Sequence, residues 1–287
     1  MIDRDFADSL RRSSSAYLVE HFSEYTNDAF SEQGIPVVIC ARNEEKDLPA
    51  TLVALAGSSC EVWPIVVENG SHDKTAEVAR KMGAHVLRCS LPFKMAALQT
   101  GVRELDNLSR LNEPVLFTDA DSLVSPTWAE TLSDAVKGDN LKCASGRATV
   151  GHGPSKIADF LGTLAMDVQD RSRIVHKEHP VGRGDNSVIN FAGNQEAIKT
   201  YMDFNPKFFI GEDDMIFEVM EKRHDAKFAK VLGNKAMVLS RGDRFKTPSD
   251  RIACVFPSWM KHLESLYSPD YKGIEPYKVF KDENVNL

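Results

Sequence analysis

The chain has 287 residues, a formal net charge of −7, and 42% hydrophobic against 27% charged residues. That length allows one large domain or two small ones around a sizeable core, and the composition is ordinary for a soluble globular protein. The acidic balance disfavours a general nucleic-acid-binding role. The five cysteines (Cys40, Cys60, Cys89, Cys143, Cys254) are scattered and form no Cys-x-x-Cys pair, so neither a zinc site nor a disulfide framework is indicated. Cys40 and Cys143 sit in apolar runs as core thiols, and a reducing cytoplasm is the simplest setting. Met1 to Leu10 is charged and lacks the apolar run of a signal peptide, and no stretch reaches transmembrane length. The expectation is therefore a cytoplasmic chain. Peripheral contact with the inner face of a membrane stays open, as does the oligomeric state.

Residues 1 to 33 read as a helical extension. Phe6, Leu10, Tyr17 and Leu18 fall near one helical face, with Tyr25 at its margin, which suits a helix capping the domain edge. Asp3, Asp5, Asp8, Glu20, Glu24 and Asp28 disfavour a membrane-surface helix. Ile35 to Cys40 is the first predicted strand. The polar run Ala41-Arg42-Asn43-Glu44-Glu45 follows, then a helix from about Lys46 to Ala56. Val62 to Val67 is the second strand and ends in Glu68-Asn69-Gly70-Ser71-His72-Asp73-Lys74-Thr75. Asp73 is placed to cap a helix running to Met82, with Gly83 as its stop. Ala84 to Leu87 is a third strand, Lys94 to Leu108 a helix, and Val115 to Phe117 a fourth strand bounded by Pro114. This alternation implies a mostly parallel sheet with right-handed crossovers.

The second half is more mixed. Pro126 to Val136 reads as a helix, Lys142 to Val150 as an alternating strand, and Pro154 to about Arg173 as a long helix. His176 to Asn186 is a polar loop carrying Gly182 and Gly184, of a length that is usually functional or mobile. A surface histidine is the plain reading of His179 within it. Ser187 to Phe191 is a short strand, and Ala192-Gly193-Asn194 opens a helix. Gly211-Glu212-Asp213-Asp214 opens another, running to about Arg223. Lys227 to Val231 and Lys235 to Leu239 read as strands, Ser240 to Phe245 as a basic turn holding Arg241 and Arg244, and Ile252 to Leu266 as an amphipathic helix before a polar tail. The expected fold class is α/β, with a Rossmann-like central sheet covered by helices on both faces.

The chemistry concentrates at Asp119-Ala120-Asp121, directly after the fourth strand. Ligands of open α/β sheets gather at the carboxyl ends of the strands. Two carboxylates there suit a hard divalent cation, and Mg2+ or Mn2+ takes one or two carboxylates together with substrate phosphates. An Asp-x-Asp by itself is common, and Asp119 also suits a strand-end cap; position at a strand end is what singles this one out.

Taken together, the ordered motifs resemble glycosyltransferase family 2, with its GT-A fold. The loop Ala41 to Glu45 looks like that family's first nucleotide loop, and Val67 to Thr75 like its second. Lys94 to Gly101 (Lys-Met-Ala-Ala-Leu-Gln-Thr-Gly) resembles its Gly-Lys-x-x-Ala-Leu-Asn-x-Gly helix. Asp119-Ala120-Asp121 resembles its metal motif, Ala192-Gly193-Asn194 its Gly-Gly-Asn segment, and Glu212-Asp213 the pair that carries its catalytic base. The likeness spans roughly residues 35 to 245. Glu68-Asn69 stands where the second loop often has Asp-Asp, and Phe93 where a glycine usually precedes the lysine. The absence of a Gln-x-x-Arg-Trp motif disfavours a processive synthase. No histidine at the end of the last strand completes a metal shell, and His262 is a poor substitute by spacing.

The resemblance implies transfer of a sugar from a nucleotide-diphosphate sugar, with UDP the commonest base in the family, to a glycan, lipid-linked or small-molecule acceptor. It implies a divalent cation (Mn2+ or Mg2+) and an inverting mechanism. Asp121 is the main metal ligand it assigns, with Asp119 contacting ribose or the metal through water. Ala41, Asn43, Glu44, Glu68, Lys94, Asp119 and Ala120 are its donor-binding residues, and Glu68 would take a hydrogen bond from the base; Arg241 and Arg244, in a turn after a late strand, suit either a grip on the diphosphate or a solvated surface pair. Asp213 is the general base and Glu212 its near alternative. At a predicted helix start the dipole favours a charged Asp213, although an N-cap would use the same placement. The chain then divides into the extension 1–33, a donor-binding half 34–122, an acceptor-binding and catalytic half 123–250 of the same domain, and a C-terminal helix and tail 251–287. A retaining GT-A transferase, a sugar-nucleotide pyrophosphorylase and a non-catalytic nucleotide-sugar-binding module are the competing readings. The pyrophosphorylase needs a glycine-rich first loop that Ala41 to Glu45 lacks, and a dead module would be expected to lose one of the acidic motifs.

Overall fold

The computed structural model describes residues 6, 9–10, 12–25, 30–137, 141–151, 160, 163–164, 187–192, 195–204, 227–231 and 235–241. Among them, strands β1 (Phe30–Ala41), β2 (Val62–Glu68), β3 (His85–Arg88) and β4 (Pro114–Asp119) alternate with helices α2 (Leu48–Ala56), α3 (Thr75–Lys81) and α4 (Lys94–Asn107). Helix α1 (Ser15–Glu20) precedes them. Strand β5 (Leu123–Val124), helix α5 (Trp128–Ala135), strands β6 (Leu141–Ser145), β7 (Arg147–Gly151) and β8 (Ser187–Asn190), helix α6 (Gln195–Asp203), and strands β9 (Lys227–Lys230) and β10 (Met237–Arg241) follow. Among the described residues no helix is long and apolar enough to cross a membrane.

The larger sheet has the order β3-β2-β1-β4-β8-β6-β9. Strands β3, β2, β1 and β4 are mutually parallel, β8 runs against both β4 and β6, and β9 is parallel to β6. This is the expected α/β class: a mostly parallel sheet whose strands are buried on both sides and therefore read as continuous apolar runs. Every residue of β2 is buried. One face of the sheet is covered by α1, α2, α3 and α5, through Leu18, Leu52, Met82 and Trp128. The other is covered by α4 and α6, through Met95, Leu98, Val102, Ile198 and Tyr201.

Helix α4 lies close enough to β1 that a Cβ on Gly101 would stand 2.6 Å from Val38 Cγ1. The glycine of the Lys94-to-Gly101 motif is thus a packing requirement. Gln99, two residues earlier, is 4% exposed and donates its amide hydrogens to the carbonyls of Phe204 (2.8 Å), Tyr201 (3.2 Å) and Met202 (3.3 Å). Those carbonyls lie at the carboxyl end of α6, where no helical partner remains for them.

Several expectations are corrected. β1 begins at Phe30, inside the segment read as extension, because Arg110 holds its polar start: its guanidinium donates to the carbonyls of Glu32 and Gly34, pairs with Glu113, and stacks over Trp63 at 5.1 Å. Leu10 and Leu18 are buried, but Phe6 and Tyr17 are each 44% exposed. The helix breaks at residues 13–14, where the Ser14 hydroxyl accepts from the Tyr17 N–H, so a single face does not run through. The stretch Lys142 to Val150 is two strands in different sheets. The Val231 N–H bonds Ser145 O at 2.8 Å in the large sheet, while the Arg147 N–H bonds Ala236 O at 3.0 Å in a small sheet of order β5-β10-β7. Alternation continues across Gly146, so it does not mark the change of partner. The expected helices at 154–173, 211–223 and 252–266, the loop 176–186, and residues 193–194 lie outside the described residues, apart from the short pieces named above.

Candidate active site

The carboxyl ends of β1, β2 and β4 lie side by side, with Cys40 in register with Val67 and with Asp119. Two loops leaving β1 and β2 are stitched together there. Asn43, at φ 57°, accepts the His72 N–H on its side-chain oxygen at 2.8 Å while its own N–H donates to the Ser71 hydroxyl at 3.1 Å. The Glu44 N–H donates to Thr75 Oγ1 (2.8 Å), the Glu45 N–H to Asp73 (3.1 Å), and the Lys74 N–H to the Glu45 carboxylate (3.0 Å). A left-handed Asn is tolerable because its short amide can bond locally. Asp73 also accepts from the N–H (3.0 Å) and hydroxyl (2.5 Å) of Thr75 at the start of α3. Burial alone would raise the Asp73 carboxyl, but these hydrogen bonds to its charged form outweigh burial and hold it below the ordinary range.

A cleft of about 280 Å3 opens between these ends, lined by Cys40, Ala41, Arg42, Glu44, Asn69, Pro92, Lys94, Asp119, Ala120 and Asp121. Lys94 reaches in from the first turn of α4 and meets Asp119 Oδ1 at 3.0 Å, with both side chains about one-third exposed. Asp119 and Asp121 leave β4 in a tight turn that is held from below, where the buried Thr51 hydroxyl donates to Ala120 O at 2.8 Å. The donor set fits a hard cation. Asp119 and Asp121 stand at the cleft, with Glu44 also on its wall, and among the described residues no three His, Cys, Asp or Glu side chains gather into a ready-made metal cluster. That is the shape of a Mg2+ or Mn2+ site completed by substrate oxygens rather than an all-protein cage.

Ala41, Glu44, Lys94, Asp119, Ala120 and Asp121 are therefore brought to one cleft, with Asn43 shaping its rim. Glu68 is not on its wall. That carboxylate turns back to accept the Ser71 N–H and stands 3.8 Å from Arg88 Nε. Its neighbour Asn69 lines the cleft instead, 5% exposed, donating its amide to Phe93 O at 3.0 Å and leaving Oδ1 buried without a hydrogen-bond partner. Sequence reasoning missed Asn69 because a strand buried on both faces gives no alternation to tell which of two successive polar residues turns to the ligand. Arg241 ends β10. Two residues earlier, Leu239 pairs with Leu123 in the antiparallel β5–β10 ladder. Glu212, Asp213 and Arg244 lie outside the described residues.

Residues 37–191 match the model of Glycosyl transferase family 2. A 4,4'-diaponeurosporenoate glycosyltransferase of Staphylococcus haemolyticus is 54% identical over 54 residues, 19% of this chain and 14% of that protein. An uncharacterized glycosyltransferase of Mycobacterium bovis is 31% identical over 141 residues, 48% of this chain and 60% of that protein. The chain thus spans less than two thirds of the length of either relative. Among solved structures, glucosyl-3-phosphoglycerate synthase from Mycobacterium tuberculosis in complex with Mn2+, UDP and phosphoglyceric acid aligns with a TM-score of 0.53 at 16% identity, covering 86% of this chain and 81% of that one. The same enzyme with Mg2+ and UDP aligns with a TM-score of 0.53 at 15% identity, over 88% and 83% of the two chains. At such identity the likeness is one of fold, the GT-A arrangement.

Proposed function

The chain belongs to glycosyl transferase family 2, and from that premise we propose that it transfers a sugar from a UDP-sugar to a hydroxyl of a glycan, lipid-linked or small-molecule acceptor, using Mn2+ or Mg2+. The observation that carries this reading is the convergence of Asn69, Lys94, Asp119 and Asp121 on one cleft at the carboxyl ends of β1, β2 and β4. Structural neighbours that hold UDP-glucose with Mn2+ support the donor class.

Each residue has a task in this scheme. The buried Asn69 Oδ1 accepts a hydrogen bond from a ring N–H of the base, which uracil offers; leaving that oxygen unmatched disfavours bases without such a donor. Asp119, steadied by Lys94, positions the ribose, and Asp121 ligates the cation. A divalent cation bound there supplies Lewis-acid stabilisation of the charge that develops on the departing diphosphate. Lys94, Arg241 and Arg244 add charge-assisted hydrogen bonds to the phosphates. Asp213, with Glu212 beside it, takes the proton of the acceptor hydroxyl as it attacks the anomeric carbon, in a single displacement that inverts configuration. A lipid-linked acceptor would be met by peripheral contact at a membrane surface.

The test is incubation with a panel of nucleotide sugars and Mn2+, measuring released nucleotide, together with UDP titration of wild type and Asp121→Ala. UDP release from one sugar nucleotide, and cation-dependent UDP binding that Asp121→Ala abolishes, are expected. Equal UDP affinity in EDTA and in Mn2+ would sink the proposal.

A further inference from the structure

Glu44 and Glu45 are consecutive in the loop after β1, yet they belong to different walls. Glu44 lines the nucleotide cleft, and Glu45 lines a cavity of about 1150 Å3 between α1, the start of α2 and one side of α3. Ser15 of α1 lines the same cavity, and its hydroxyl donates to the Glu45 carbonyl at 2.5 Å. We propose that α1 positions the donor loops, that Ser15 is the positioning residue through which it acts, and that bound nucleotide in turn tightens α1. The proposal deepens the donor reading above and rests on it.

Two observations lead here. First, hydrogen bonds and short stretches of chain connect Ser15 to the cleft. The Glu45 N–H donates to Asp73, and the Glu45 carboxylate accepts the Lys74 N–H; the Glu44 N–H donates to Thr75 Oγ1, and Asn43 holds Ser71 and His72. The Asn69 N–H donates to Ala41 O at 3.0 Å, closing the seam between two residues of the cleft wall. A displaced Glu45 carbonyl therefore carries Glu44 and both loops with it. Second, α1 is lightly held. It has six residues, of which Leu18 is buried and Val19 packs half-buried on the same core, while Ala16 and Glu20 border the cavity. A helix this short is not stable by itself in water, so its order comes from docking. Such lightly docked elements open with small free energies, within reach of what ligand binding supplies. Linkage then fixes the converse. If docked α1 favours the loop arrangement that binds nucleotide, nucleotide favours docked α1 by the same factor.

The experiment uses the full chain with UDP and Mg2+. Calorimetry reads UDP affinity, and hydrogen exchange reads the amides of α1 (residues 17–21) and of the two loops (42–46 and 71–75). With wild type, UDP should slow exchange in α1 as well as in the loops. Ser15→Ala should weaken UDP binding about two- to tenfold, the effect of one lost hydrogen bond, and UDP should no longer slow exchange in α1. Ser15→Thr keeps the hydroxyl and should restore both. A bond that only staples α1 to the surface would let α1 fray in Ser15→Ala while UDP affinity stays at the wild-type value, and that result overturns the proposal. So does α1 exchange indifferent to UDP in wild type, or a Ser15→Thr protein that behaves as Ser15→Ala. Failure of UDP to bind wild type would strike the donor reading instead. Even then Ser15→Ala should speed exchange at residues 42–46 and 71–75 without nucleotide; unchanged exchange there would leave α1 no hold on the loops.

Discussion

Replacing Gly101 by alanine sets two effects of known size against each other. Gly101 lies inside α4, where alanine is favoured over glycine by about 0.8 to 1.0 kcal/mol. The new methyl would stand 2.6 Å from Val38 Cγ1 and 3.2 Å from Cγ2, and Val38 is fully buried and stiff at χ1. Overpacking of this kind costs about 1 to 3 kcal/mol. The net effect of Gly101→Ala should be a loss of about 1 kcal/mol, seen as a fall in Tm of roughly 2 to 4 °C for a chain of this size. The decisive arm is the double mutant. Val38→Ala removes both clashing carbons and leaves the 3.5 Å contact to Cβ, which is ordinary. In that background Gly101→Ala should turn stabilising by about 1 kcal/mol, giving a coupling of about 2 kcal/mol between the two sites. Urea titration of the four proteins measures it. If Gly101→Ala has the same sign in wild type and in the Val38→Ala background, the close approach of α4 to β1 is not what the glycine serves.

Three further outcomes are expected. Asp213→Asn should lower turnover about a hundred- to ten-thousandfold with donor affinity unchanged by calorimetry; near-normal turnover alongside a dead Glu212→Gln would move the base by one residue. Gln99→Leu should cost about 1 to 3 kcal/mol in a denaturant melt, because it removes the buried amide that donates to the carbonyls of Tyr201, Met202 and Phe204, and a neutral result would show that those bonds contribute little. Asp73→Asn should destabilise near neutral pH, and the gap to wild type should close in acid. A carboxyl held low in the fold contributes fully above its unfolded pKa of about 3.9 and loses that contribution as pH falls through its lower folded value; a gap that stays constant down to about pH 3 would contradict the hydrogen bonds assigned to it.

The half from β1 to β4 was legible because its strands are continuous apolar runs and its helices carry clear periodicity. Asp119 and Asp121 stood out for the same reason: a buried strand ended just before them. Direction and partnership in the second half were not legible. β8 has four residues, Ser187–Asn190, and nothing in them says that it runs against both neighbours. Within the site, Lys94 was expected to share a cleft with Asp119 because the strands ending near residues 40, 67 and 118 should be neighbours, and the structure puts the two in an ion pair at 3.0 Å. Glu68 and Asn69 were indistinguishable in sequence; only the twist of the chain leaving β2 turns one to Arg88 and the other into the cleft.

The small sheet bears on the order in which the chain becomes structured during synthesis. Among the described residues β5 and β7 pair only with β10, which follows them by more than eighty residues. On a translating ribosome the four parallel strands from Phe30 to Asp119 can associate as they emerge, whereas β5, which begins at Leu123, has no described strand to pair with until residues 237–241 leave the exit tunnel. The turn carrying Asp119 and Asp121 can be held early by β1 and Thr51, whereas the strand β5 that follows it is among the last parts of the amino-terminal half to gain its pairing. Nascent chains stalled before residue 237 should expose unpaired strand edges of the kind that chaperones bind and that seed aggregation.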